Sequence, residues 1–189
     1  MQMNRLSNRI LFPVLIGIIL SLCFGILHEK PAHAATEENA DGGNAIVYLI
    51  DNSTSMIWIH EEMKEILKNV IEKSTPRDCI SIVFFGERAS VLASYKSIDE
   101  HKKEALRRIV DTASANSLYT CFIPAVERGV DLLYDYFRDG AADKYILLVV
   151  SDRKEHPPPG YVKDHSLEQV LRQHSDFMPG KDWNLCYLA

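Results

Sequence analysis

Short, unbroken apolar runs alternate along this chain with stretches where apolar side chains return every three or four positions. Ala45–Ile50 (AIVYLI), Cys79–Phe85 (CISIVFF) and Tyr145–Val150 (YILLVV) are continuous apolar runs. Their length and continuity fit strands buried on both faces. Between the first two, Ile59, Met63, Ile66, Leu67 and Val70 recur at helical spacing, with Glu61, Glu62, Lys64 and Lys68 on the opposite side. Ser74-Thr75-Pro76 ends that helix. Ala89–Tyr95, following Gly86, reads as a strand joined to Cys79–Phe85 by a short hairpin, hence an antiparallel edge. Ser97-Ile98-Asp99 opens a charged amphipathic helix that runs to Val110. Thr120–Phe137 forms another, with Ala125, Val126, Gly129, Val130, Leu133 and Phe137 on its buried stripe. Pro157–Gly160 is a loop, Ser166–His174 a short helix and Trp183–Leu188 a last strand. No internal repeat interrupts the alternation. The pattern predicts an α/β domain built on a doubly wound, mostly parallel sheet with helices on both faces.

The first 34 residues follow another pattern. Arg5 and Arg9 precede an apolar run over 10–27, and a short polar stretch then ends at Ala32-His33-Ala34. A positive start, an apolar centre and a small-x-small site are the features of a secretory signal cleaved after Ala34. Retention of 10–27 as a membrane anchor is the alternative, since the run is at the short end for a spanning helix and contains Pro13, Gly17 and Gly25. A lipoprotein reading of Cys23 is weaker, because Leu22 stands where a small residue is wanted. Both main readings put the rest of the chain outside the cytoplasm. Residues 35–44 (ATEENADGGN) read as a flexible linker, leaving 45–189 as the domain.

Composition narrows the function. With 189 residues there is room for one domain, and 47% hydrophobic content excludes wholesale disorder. A net charge of −5, from 21 basic and 26 acidic residues, leaves no basic stretch that would bind nucleic acid. Four cysteines without Cys-x-x-Cys spacing exclude a zinc ribbon and a disulfide scaffold. Cys79 and Cys186 fall on strands expected to be separated in the sheet, so free buried thiols are expected for them and for Cys121. The seven histidines are scattered, and His165 and His174 stand nine apart, so surface or loop positions are expected rather than a zinc site.

The candidate chemistry is at strand ends. Asp51-Asn52-Ser53-Thr54-Ser55 follows the first buried strand directly, and Ser151-Asp152 follows the most apolar one. Open α/β sheets place ligands at the carboxyl ends of strands, where the topology reverses. One carboxylate and two hydroxyls alternating along a tight turn offer only oxygen donors, which suits a hard cation such as Mg²⁺. The same residue types also cap helices, so Asp-x-Ser-x-Ser by itself does not separate a metal site from an N-cap. Asn52-Ser53-Thr54 matches a glycosylation sequon, but a glycan there would block the turn, and the match reads as accidental.

Asp51, Ser53 and Ser55, then Thr120, then Asp152, each at the same end of a doubly wound sheet, resemble the von Willebrand factor A family. The hydrophobic segments around them (IVYLIDNSTSM, TCFIPAVERGVDLL and KYILLVVSD) are similar to the family's as well. The resemblance covers Ala45 to Ala189. It implies a metal-ion-dependent adhesion site in which Ser53 and Ser55 bind Mg²⁺ (or Mn²⁺ or Ca²⁺) directly. Thr120, Asp51 and Asp152 would bind directly or through water, and an open position would take a Glu or Asp carboxylate from a protein partner. It implies no enzymatic role, no nucleic-acid ligand, and membrane contact only through 10–27. Three departures stand out. Ser151-Asp152-Arg153 replaces the family's usual Thr-Asp-Gly, Ser117-Leu118-Tyr119 stands where a Gly often precedes the Thr, and Ala189 falls before the family's last helix and strand. By this reading Trp183–Leu188 becomes an exposed apolar edge. Glu155-His156 with Pro157–Pro159, following Asp152, reads either as a rim of the site or as a plain solvent loop. Two rivals remain: a metal-free structural subunit of an envelope complex, and a metal-assisted phosphate hydrolase. The hydrolase would want a second carboxylate two residues after Asp51, where Ser53 stands; Gly-x-Ser-x-Gly is also absent.

Overall fold

A computed structural model describes residues 42–152, 155–162, 165–175 and 183–188. The apolar run 10–27, the cleavage site at Ala34, Cys23 and Arg153 lie outside the described residues. Five strands form one sheet in the order β3-β2-β1-β4-β5. These are β1 (Asn44–Asp51), β2 (Cys79–Phe85), β3 (Ala89–Tyr95), β4 (Lys144–Val150) and β5 (Trp183–Leu188). β1 pairs in parallel with β2 and with β4, β4 pairs in parallel with β5, and β3 is the antiparallel edge. The continuous apolar runs are therefore the central strands, and alternation along them feeds two cores. Val47, Leu49, Val83, Leu147 and Val149 join one cluster. Their neighbours Ile46, Tyr48, Ile50, Ile80 and Ile82, on the opposite face, are buried too.

The helices divide between those faces. α3 (Phe122–Arg138) packs on the first through Val126, Val130 and Leu133, and α4 (Leu167–Ser175) adds Val170 to the same cluster. The Tyr136 hydroxyl of α3 meets those of Ser81 at 2.7 Å and Ser94 at 2.9 Å, which fixes the helix over β2 and β3. α1 (His60–Lys73) and α2 (Glu100–Thr112) bury Met63, Leu67, Leu106 and Val110 outside that cluster, on the other face. They are clasped reciprocally. Lys64 Nζ, near the start of α1, donates to the Asp111 carbonyl near the end of α2 at 3.3 Å. Lys103 Nζ, near the start of α2, donates to the Glu72 carbonyl near the end of α1 at 3.0 Å. Each cation thus meets the negative end of its neighbour's dipole.

Several expectations change in detail. Asn44 already belongs to β1, its N–H held by Asp78 Oδ1 at 2.9 Å, and Gly43 accepts from the Asp143 N–H at 3.0 Å. The end of the polar lead-in is therefore built into the sheet margin. α3 starts at Phe122, not Thr120, because Thr120 pairs as an isolated bridge with His156. His60, expected at the surface, is buried under the start of α1. β5 is an edge strand, yet Trp183, Leu185 and Tyr187 pack against the α3 cluster and Leu188 is buried, so its side chains are largely covered. Cys79 and Cys121 are buried free thiols, and Cys186 on β5 is half-buried. Burial pushes the Cys79 thiol up to about 11.

Candidate metal centre

β1 and β4 lie side by side, with Ile50 opposite Val150. The connection leaving β1 crosses one face and the one leaving β4 crosses the other. This is the position at which an open α/β sheet has a crevice at its carboxyl edge. Asp51 is the last residue of β1, and Ser151 and Asp152 follow β4 directly.

Asp51 is fully buried, and both its carboxylate oxygens are engaged. Oδ1 accepts the Ser53 N–H at 2.8 Å, and Oδ2 accepts the Ser151 hydroxyl at 2.7 Å. Burial holds the Asp51 carboxyl above its ordinary value, those hydrogen bonds oppose the shift, and the charge of nearby Asp152 adds to it. The Ser53 and Ser55 hydroxyls lie 2.9 Å apart. Ser53 is buried and Ser55 exposed, at the opening of a 3-10 segment, Thr54–Trp58, that leads into α1. Asp51, Ser53 and Ser55 are thereby linked, and Asp152 stands close enough to Asp51 for its charge to act on it.

Thr120 reaches this end of the sheet by a different route. It is buried and carried between a bridge to His156, with paired N–H···O bonds of 2.8 and 3.0 Å, and the Cys121 N–H, which donates to the Gly86 carbonyl at 2.7 Å. Ser117, three residues earlier, bridges Ser53: its N–H donates to the Asn52 carbonyl at 3.0 Å, and Thr54 N–H returns to the Ser117 carbonyl at 2.9 Å. Gly86 lets these loops meet. A Cβ there would stand 2.2 Å from Ser117 Oγ and 2.6 Å from Asn52 Oδ1. Asn52 Oδ1 is buried without a hydrogen-bond partner. His156 stacks on Tyr119, with centroids 5.9 Å apart, so the Glu155-His156 segment adjoins the site.

The donor chemistry fits a hard divalent cation: two carboxylates close enough to repel, and two hydroxyls within contact of each other. Among the described residues no three His, Cys, Asp or Glu side chains gather to hold a metal, so hydroxyl oxygens are essential to any such site. The parts not singled out from the sequence are Gly86 and the positioning bonds of Ser117 and Ser151. Only Ser151 carried a local signal, its place at a strand end beside Asp152.

The family model for the von Willebrand factor type A domain matches residues 46–154. No curated protein matches the sequence. Among solved structures, a von Willebrand factor type A structure from Catenulispora acidiphila is similar with a TM-score of 0.57 at 18% identity, covering 77% of this chain and 32% of its own. The conserved hypothetical protein BatB from Bacteroides thetaiotaomicron gives 0.54 at 12%, covering 77% of this chain and 65% of that one. Proximal thread matrix protein 1 from the mussel byssus, solved with a zinc-occupied MIDAS motif, gives 0.56 at 14%, covering 80% and 39%. The chain thus spans between about a third and two thirds of these structures, and at such identities the likeness is one of fold.

Proposed function

Because the chain belongs to the von Willebrand factor type A family, whose domains are generally interaction modules, we propose that it is an extracytoplasmic protein-binding module dependent on a divalent cation. Asp51, Ser53, Ser55, Thr120 and Asp152 would hold Mg²⁺, or Mn²⁺ or Ca²⁺, at the β1/β4 crevice. When bound, the cation supplies an electrophilic centre for a Glu or Asp carboxylate of the partner. The chain's own groups do the rest. Asp51 is aimed by the Ser53 N–H and the Ser151 hydroxyl, and paired carboxylates lower the cost of holding a dication. The observation that carries this reading is the buried Asp51 carboxylate beside Asp152 and the Ser53–Ser55 hydroxyl pair, at the topological switch of the sheet. The mussel protein with its zinc-occupied motif lends support from the same fold.

One observation favours a second reading. Both Asp51 oxygens already have partners, as they would in a metal-free structural domain. Calorimetric titration with Mg²⁺ and Mn²⁺ separates the two. Saturable binding to wild type, weakened about tenfold or more in a folded Asp51→Asn chain, supports the metal site. A folded wild type that takes up neither ion overturns it. Turnover of a phosphate ester by wild type and not by Asp51→Asn would instead favour the hydrolase.

A further inference from the structure

Five large apolar side chains stand exposed among the described residues: Ile57, Trp58, Leu92, Leu118 and Val162. Three of them are on the two segments that carry or brace the hydroxyl ligands. Trp58 is 82% and Leu118 73% exposed. Trp58 belongs to the 3-10 segment that opens with Thr54 and Ser55. Residues three apart eclipse each other in such a turn, so Trp58 stands on the same side as Ser55, while Met56 is buried on the other. Leu118 follows Ser117, which is bonded to the Ser53 strip on both sides. These segments also lack charge, with no Asp, Glu, Lys or Arg in 52–60 or in 112–126. On the sides formed by these two segments, the crevice with two carboxylates is thus bordered by uncharged, partly apolar side chains.

We infer that this rim is a second element of the binding surface, and that the partner segment carries a bulky apolar residue beside its metal-binding carboxylate. The inference rests on the metal-site reading and specifies its partner. The physical reason is desolvation. A carboxylate bond at an exposed ion is weakened by water, and apolar contacts around it exclude water and raise its strength. The two rim segments carry no cation for phosphates, and the chain's net charge of −5 disfavours nucleic acid or an anionic lipid surface as occupant.

Panning a phage-displayed random dodecapeptide library on the full chain, in Mg²⁺ and in EDTA, tests this. The expected Mg²⁺-dependent clones carry Asp or Glu next to Trp, Phe, Leu or Ile. They should bind Trp58→Ala and Leu118→Ala chains roughly tenfold more weakly or worse, while Leu92→Ala, on the remote edge strand, leaves them unchanged. Acidic clones without an apolar neighbour, indifferent to Trp58→Ala, overturn the inference and leave the metal site standing. Failure of wild type to bind cation in calorimetry removes both. Mg²⁺-independent self-association or binding to phosphatidylglycerol vesicles, abolished by Trp58→Ala, would assign the rim to a second copy or a membrane and overturn the inference as well.

Discussion

Asp51 shows how much one side chain depends on its partners. Its carboxylate is fully buried, yet two hydrogen bonds orient it toward the strand end shared with Asp152. Ser151→Ala removes one of these without touching a proposed ligand. Cation affinity should fall about tenfold to a hundredfold, the usual effect of losing a positioning partner, with the fold retained by circular dichroism. Calorimetry on the variant checks this. His60 gives a separate, pH-linked outcome. It is buried with Nε2 unpartnered, and burial first, then the Lys64 charge, holds its pKa below the ordinary 6.5. The unfolded chain therefore takes the proton first as pH falls. The His60 contribution is complete above pH 6.5 and declines as pH drops from there through the lowered native value. Thermal melting across that range should show a slope that His60→Gln reduces. An unchanged slope in the variant would assign it to other groups.

Among the elements, α3 is seated closely on the sheet. Gly129 faces the sheet so closely that a Cβ would stand 2.5 Å from Leu147 Cδ1 and 3.0 Å from Leu49 Cδ2. Both leucines are fully buried, so neither can swing out to solvent. Gly129→Ala adds helix propensity of about 1 kcal/mol, but overpacking a filled core costs about 1–3 kcal/mol. Net destabilisation of about 1 kcal/mol is expected, read as a lower urea midpoint. An equal or higher midpoint would mean that the interface yields. The helical periodicity placed Gly129 on the buried stripe; that it touches two strands at once is a property of the packed sheet. The start of α3 illustrates the reverse. Thr120 continues an apparent helical segment in the sequence, but its backbone is taken by His156, more than thirty residues away.

Across the whole molecule, the edge strand and the candidate site are connected. The Leu188 carbonyl of β5 accepts the Ser151 N–H at 3.1 Å, and the Ser151 hydroxyl in turn holds Asp51. A chain ending at residue 182 should therefore lose stability and also bind cation roughly tenfold more weakly, through relaxation of Ser151. Parallel denaturation and calorimetry measure the two effects. Stability loss with unchanged affinity would show that the β4 end holds its place unaided.

The order of strands and helices, the antiparallel edge and the apolar centre were legible in the sequence, because side-chain periodicity records which faces are buried. Asp51, Ser53, Ser55, Thr120 and Asp152 were legible as candidates, since oxygen-bearing side chains that follow apolar strands or precede a helix mark the carboxyl edge of an open sheet. Tertiary structure alone decided what lies beside what. The Ser151 bond to Asp51, the Ser117 bridge beneath Ser53, the close approach at Gly86 and the burial of His60 all join residues distant along the chain or on separate elements. Local sequence specifies the direction of each strand and the face of each helix. Contacts between separate elements arise only when those faces pack and backbone groups left at their ends must find partners.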